Sequence, residues 1–180
     1  MHFYSDLFKK TKMTSKVFDI RKQAYSWQAL STIVAFLLVI YLIRDRFAET
    51  AGIFPQMDLV QQLSVFFLSM LSPIFWVNLI APVCYLSVAI AASQVFGRIA
   101  KGDDFSEAMI KGLNDMGSNL MFGAIATMAI TPTLVEWLHF RGGIKFHTST
   151  ESFIILIVGG ALYFIAQIGK KMREEIDEIV

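Results

Sequence analysis

The chain has 180 residues, of which 55% are hydrophobic and only 17% charged, and its mean hydropathy is +0.55. That apolar content exceeds what one domain of this length can hide, which excludes a disordered tail, a fibrous repeat and an ordinary soluble globule. Sixteen Lys and Arg against fifteen Asp and Glu leave a formal charge of +1, without the basic excess of a nucleic-acid binder, and the single Cys84 excludes an internal disulfide or a multi-cysteine metal site.

Residues 1–22 come first, with Lys9, Lys10, Lys12, Lys16, Arg21 and Lys22 interleaved with Phe3, Leu7, Phe8, Val17, Phe18 and Ile20. This is the composition of a basic amphipathic segment on an anionic cytoplasmic leaflet, or of a flank that orients the span after it. The run after it is expected to stay uncleaved as an anchor, since a signal peptide's apolar run is about 7 to 15 residues and ends at small residues, whereas this one ends at Arg44-Asp45-Arg46.

Four stretches lack Asp, Glu, Lys and Arg: Gln23 to Ile43, Leu59 to Gly97, Met116 to Val135, and Ser152 to Gly169. A hydrocarbon core of about 30 Å needs about 20 apolar residues in a helix, so the first, third and fourth each fit one span. As one helix the second would reach about 58 Å. Its part from Leu59 to Ser72 is therefore expected at the interface or outside, with the span over 73–97 and bends at Pro73 and Pro82. Two tight spans joined near Pro73 would leave backbone groups unsatisfied in lipid. The expected fold is all-α: an integral membrane four-helix bundle over residues 23–169, with spans near 23–43, 73–97, 116–135 and 152–169 and a kinked long second helix. A helical tail, 170–180, follows.

Positive charge sets the orientation. Residues 1–22, the middle loop (Arg98, Lys101, Lys111) and the tail (Lys170, Lys171, Arg173) carry every Lys and Arg except Arg44, Arg46, Arg141 and Lys145. Both termini and the middle loop are expected in the cytoplasm, and the protein in a bacterial inner (plasma) membrane.

The middle loop is patterned as a turn between helices. Gly102 is placed to end one helix in the left-handed conformation, and Asp104 with Glu107 three residues later makes a capping-box-like start for the next. Phe105 stands at the head of that helix. In the tail, Lys170 with Glu174, Lys171 with Glu175 and Arg173 with Asp177 are spaced to pair, while Met172, Ile176, Ile179 and Val180 lie close to one side. Asp103, Asp104, Phe105 and Glu107 of the loop, with Met172, Glu174, Glu175, Ile176 and Val180 of the tail, are the candidate partner-docking residues.

Small residues recur at helical spacing in the spans. Ala89, Ser93 and Gly97 form one stripe, Gly123, Thr127 and Thr131 another, and Gly159-Gly160-Ala161 makes a notch in the last span. Spans two, three and four are expected to pack closely, with span one at the edge; the same stripes would also suit a second copy or a partner's helix. Asn78, Gln94, Asn119, Thr127, Thr131 and Gln167 are read as hydrogen-bonding between helices. Asn78, between Pro73 and Pro82, is also a candidate polar pocket, because a proline frees a carbonyl.

No catalytic, cofactor or metal residues are predicted. The uncharged stretches offer no proton relay; His2, His139 and His147 are placed for neither haem nor metal; and Gly-x-Ser-x-Gly, His-Glu-x-x-His and phosphate-loop motifs are absent.

The run Arg98 to Gly117, with its Lys101-Gly102-Asp103-Asp104-Phe105 core, Leu113 and Gly117, resembles the signature of a small bacterial integral membrane family catalogued as a domain of unknown function. The closing Gly169-Lys170-Lys171-Met172-Arg173-Glu174-Glu175-Ile176-Asp177-Glu178-Ile179-Val180 is similar to that family's end. The resemblance covers roughly the C-terminal half and implies four transmembrane helices with cytoplasmic ends, often encoded beside small helix-turn-helix regulators. The family more often has Pro where Asp104 stands, and a shorter, less basic N-terminal segment. The expected function is non-enzymatic: a regulatory, immunity-like or accessory subunit of a membrane complex. Its partners would be membrane lipids and another membrane or cytoplasmic protein, or a second copy, with no direct nucleic-acid contact. The rival reading is a small transporter or channel component.

Overall fold

The computed structural model of the protein describes residues 2–52 and 56–179, with side-chain surroundings for 20–50, 52 and 56–178. The described segments are helical, in the order α1 (His2–Ala51), α2 (Leu59–Ser69), α3 (Pro73–Val77), α4 (Ile80–Lys101), α5 (Phe105–Ile125), a π-helical turn (Ala126–Ile130), α6 (Thr131–Leu138) and α7 (Thr150–Ile179).

α1 runs unbroken for 50 residues because no Gly or Pro interrupts it before Gly52 and Pro55. At about 1.5 Å per residue it extends about 75 Å, more than twice the hydrocarbon thickness. Residues 1–22 and the first span were expected as two elements; no break separates Lys22 from Gln23. The long uncharged stretch that follows is divided. Asp58 starts α2 with a capping box, its carboxylate accepting from Leu59 N–H at 2.8 Å while Gln61 Oε1 accepts from Asp58 N–H at 3.4 Å. α2 rests on α1 through Phe66, whose ring lies 5.6 Å from Phe47 and 6.0 Å from Phe75. Pro73 opens α3 at a helix start, and the turn Asn78–Leu79 separates α3 from α4.

Four helical segments are long and apolar enough to cross a bilayer: Ile20–Thr50, Pro73–Lys101, Phe105–Leu138 and Thr150–Glu178. They make this a multi-pass membrane protein. All four are longer than the spans read from the absence of charge, the second by least, since helix continues past charged residues at their ends. α7 carries the tail as its own continuation, with Lys170–Glu174 at 3.8 Å and Arg173–Asp177 at 4.0 Å as spaced, while Lys171 and Glu175 do not meet within 4.0 Å.

Burial is inverted relative to a soluble fold. Only 6 to 17% of each span's most apolar window is buried inside the protein, and the buried apolar positions are mostly alanines such as Ala108, Ala124, Ala126 and Ala166. Large side chains such as Phe36, Leu37, Ile157 and Phe164 face outward. In lipid the outside is as apolar as the inside, so close backbone approach through small residues holds helices together where water would have driven large ones inward.

The helices pack in chain order: α1 on α4, α4 on α5 and α5 on α7. Among the described residues no substantial packing joins α7 to α1 or α4, so the four spanning segments form a row more than a closed bundle. Gly97 admits the Gln28 side chain of α1, where an added Cβ would lie 2.8 Å from Gln28 Nε2, and Ser93 shares a 2.8 Å hydrogen bond with Thr32. On the next interface Val95 lies against Gly112, and Gly123 lies under Tyr85. The tightest crossing is α5 on α7: a Cβ on Gly117 would meet Tyr163 N at 2.5 Å and Gly159 O at 2.7 Å, and one on Gly159 would meet Met121 N at 2.9 Å. Gly160, the other glycine of the expected notch, has open space beside it.

Candidate functional site

One end of the row brings charged groups of α5 and α7 together. α4 stops at Gly102, whose φ of +89° suits only a residue without a Cβ; Gly102 N–H bonds Ile99 O and Asp103 N–H bonds Arg98 O, both at 3.1 Å, which closes the helix. α5 begins three residues later, at Phe105. Asp104 accepts from Ser106 N–H at 3.0 Å and Ser106 Oγ–H at 2.9 Å, bonds that hold its carboxyl below the usual range, assisted by the nearby Arg173 charge. Glu107 was expected to reach back and complete a capping box. It turns instead toward α7.

What draws it there is Arg173. Its guanidinium lies 3.2 Å from Asp104 and 3.6 Å from Glu107, with Asp177 of its own helix at 4.0 Å. The planar fork lets one cation serve carboxylates of two elements and ties the tail to the start of α5. Sequence spacing assigned Arg173 only its i,i+4 partner; its long-range role depends on the register at which Gly117 crosses Gly159, which no local pattern encodes.

Of the grooves at this junction, two reach the neighbouring helices α1 and α7. One, of about 290 Å³, lies beside α1 between Ile20, Arg21, Ile99, Gly102, Asp103 and Phe105. The other, of about 460 Å³, runs between α5 and α7, with Ala166 buried in its floor and Asn114 accepting from Gln167 Nε2 at 3.0 Å across it. Beneath the junction Ala24, Val95, Ile99 and Ala108 form a small apolar cluster that fixes α1, α4 and α5 to one another.

Of the predicted docking residues, Asp104 and Glu107 meet α7 through Arg173. Phe105, Met172 and Ile176 are all more than half exposed, and Asp103, Glu174 and Glu175 are exposed carboxylates. Val180 lies outside the described residues.

The opposite half carries the polar backbone features. Asn78 is half-buried at the break between α3 and α4, its backbone N–H bonded to Ile74 O at 3.1 Å. Across from it, Pro132 has no N–H for the carbonyl of Met128 four residues back, and the helix widens into its π turn just before that proline. The loop after α6 supplies the missing donor. It folds back along the helix so that His147 N–H reaches Met128 O at 2.7 Å, Lys145 exchanges two backbone bonds with Thr133 Oγ1 at 3.0 and 3.1 Å, Lys145 pairs with Glu136, and Trp137 Nε1–H donates to Gly143 O at 2.6 Å. The breaks in the two helices adjoin: Thr131 Oγ1–H donates to Val77 O at 3.5 Å and Thr127 shares a 3.1 Å bond with Tyr85. Thr127, Thr131 and Gln167 therefore bond between helices as expected, whereas Asn119 donates within its own helix to Asp115 O at 2.8 Å.

Among the described residues no group of three or more His, Cys, Asp or Glu side chains is placed to hold a metal ion. No family model matches the chain, and neither a curated protein nor a solved structure proved similar to it.

Proposed function

We propose that this protein is a non-enzymatic regulatory, immunity-like or accessory subunit of a bacterial inner-membrane complex that works by docking a protein partner on its charged end. The observation that carries the reading is the exposure of Phe105, Met172 and Ile176 among carboxylates, at an end where Arg173 and Asp104 hold the backbone in place. Rigid scaffolding behind exposed apolar anchors suits partner binding, since little further ordering is required on association. The distribution of Lys and Arg assigns this end, and both termini, to the cytoplasm.

The test is purification of the full chain from its membrane in mild detergent, with mass spectrometry of what co-elutes and a particle size. A stoichiometric protein partner is expected, lost on deletion of residues 171–180 and retained in Asn78→Leu. A homo-oligomer without a partner, together with loss of a transport activity in Asn78→Leu, would overturn the reading in favour of a small transporter or channel component.

A further inference from the structure

The groove between α5 and α7 has an ordered charge pattern along the helix axes. At its inner end is the neutral amide pair Asn114–Gln167. One turn outward come the cations Lys111 and Lys170; one and two turns beyond Lys170 come Glu174 and Asp177. Lys111 pairs with no carboxylate among the described residues, and Lys170 meets Glu174 only at 3.8 Å between two well-exposed side chains. Arg173, the other cation at this level, is engaged by Asp104 and Glu107. Asp177 meets Arg173 only at 4.0 Å, so Lys111 and Lys170 on the membrane side and Glu174 and Asp177 on the water side are the unpaired or loosely paired charges of the groove.

The level of this pattern is fixed by the sequence of α7. Lys170 is its first charged residue after Glu151, with an uncharged run between them that spans the apolar layer. The cations thus stand where lipid phosphates lie, and snorkelling lysines reach them at little cost. On the membrane side of Lys170 the groove has Ala166 in its floor and ends at the neutral Asn114–Gln167 pair, and Phe164 and Ile168 of α7 face outward.

We infer that this groove binds the head group of an ethanolamine phospholipid, its phosphate on Lys111 and Lys170 and its ammonium on Glu174 and Asp177. In such a lipid the phosphate is next to the glycerol and the ammonium is farther out, and the two-carbon linker between them is comparable in reach to one helical turn. The order of charge from membrane to water is therefore that of the protein reversed. A glycerol head group offers nothing to the carboxylates. A choline head group carries the same charge but no N–H donor, so it forfeits the charge-assisted hydrogen bonds that the carboxylates would accept. The assignment does not depend on which leaflet holds this end, nor on the protein partner proposed above.

Native mass spectrometry of the full chain, titrated in detergent with phosphatidylethanolamine, phosphatidylcholine or phosphatidylglycerol, tests it. The ethanolamine lipid is expected to be retained about tenfold better than the choline lipid, the worth of one charge-assisted hydrogen bond. E174Q/D177N, at exposed positions that keep helix propensity, should erase that preference while phosphate-dependent retention persists. K111Q/K170Q should weaken all three lipids, with an unchanged elution volume confirming the fold. Equal retention of ethanolamine and choline lipids, or a preference untouched by E174Q/D177N, would overturn the inference. So would displacement of the lipid by free phosphoethanolamine at equal concentration, which would assign the groove to a soluble ligand.

Discussion

The two ends of the α5–α7 region solve the same problem by different means. At the charged end, helix termini are satisfied locally: Gly102 closes α4, Asp104 caps α5, and Arg173 adds charge from the neighbouring helix. In the opposite half, Pro132 leaves a carbonyl without its donor inside a span, where an unpaired group is expensive, and a loop fifteen residues downstream returns to supply it through His147 N–H. The first end is held by side chains that water could replace; the second by a backbone bond that lipid could not. The contacts of the charged end can accordingly be exchanged for water, while the loop–helix contact is a structural obligation.

The largest effect on this comparison should come from the crossing that holds α5 to α7 and so aligns both ends. Gly117→Leu drives a side chain into Tyr163 N and Gly159 O, 2.5 and 2.7 Å from where its Cβ must sit, and should cost about 3 kcal/mol or more of overpacking in a steric-trap or thermal unfolding assay. Gly160→Ala, facing open space, should leave the melting curve almost unchanged in the same assay.

A smaller effect is expected at the return loop. Pro132→Ala gives Met128 O a donor from its own helix, and the competition should release His147, on the order of 1 kcal/mol of bond. Amide exchange over 143–148 should then speed up while exchange over 105–113 is unaffected. If both segments respond together, the two ends are not independent.

At the charged end, Arg173→Gln should leave global unfolding nearly unchanged but raise amide exchange across 170–178, because exposed ion pairs contribute little to stability yet fix the tail against α5. Unaltered exchange would remove Arg173 as the tie.

The smallest effect is the titration of Asp104. Its carboxyl is held below the ordinary value of 3.8 by the Ser106 bonds and then by Arg173. A depressed folded value means that its contribution is fully present above pH 3.8 and is lost as pH falls through the lower folded value. Carboxyl chemical shifts should show Asp104 titrating below the ordinary value of 3.8, Ser106→Ala should bring it back toward that value, and an unchanged titration in Ser106→Ala would contradict the cap.

Much of this architecture was legible in residue order. The charge-free stretches located the four spanning helices because lipid tolerates so few charges, and Gly102, Asp104 and the tail spacing marked a turn and a helix because caps and i,i+4 pairs act over one helical turn. The helix ends were less legible: α5 starts well before the uncharged stretch, since a helix continues into water wherever no glycine or proline stops it. Register was not legible. The choice of Gly159 over Gly160, the turning of Glu107 from its own cap toward Arg173, and the Asn114–Gln167 bond all follow from how two helices cross. The return loop had one local signal, Pro132 within an apolar run, but its donor lies far along the chain in a segment whose own sequence, Gly142-Gly143-Ile144-Lys145, names no partner.

The central claim, that the charged end is a protein-binding surface while the apolar faces meet lipid, is tested most directly by photocrosslinking in the native membrane. A photoreactive amino acid placed at Met172 should form a discrete adduct with another protein, and the same probe at the equally exposed Phe36 of α1 should form none. Absence of a protein adduct at Met172, or the same adduct at both positions, would contradict the account.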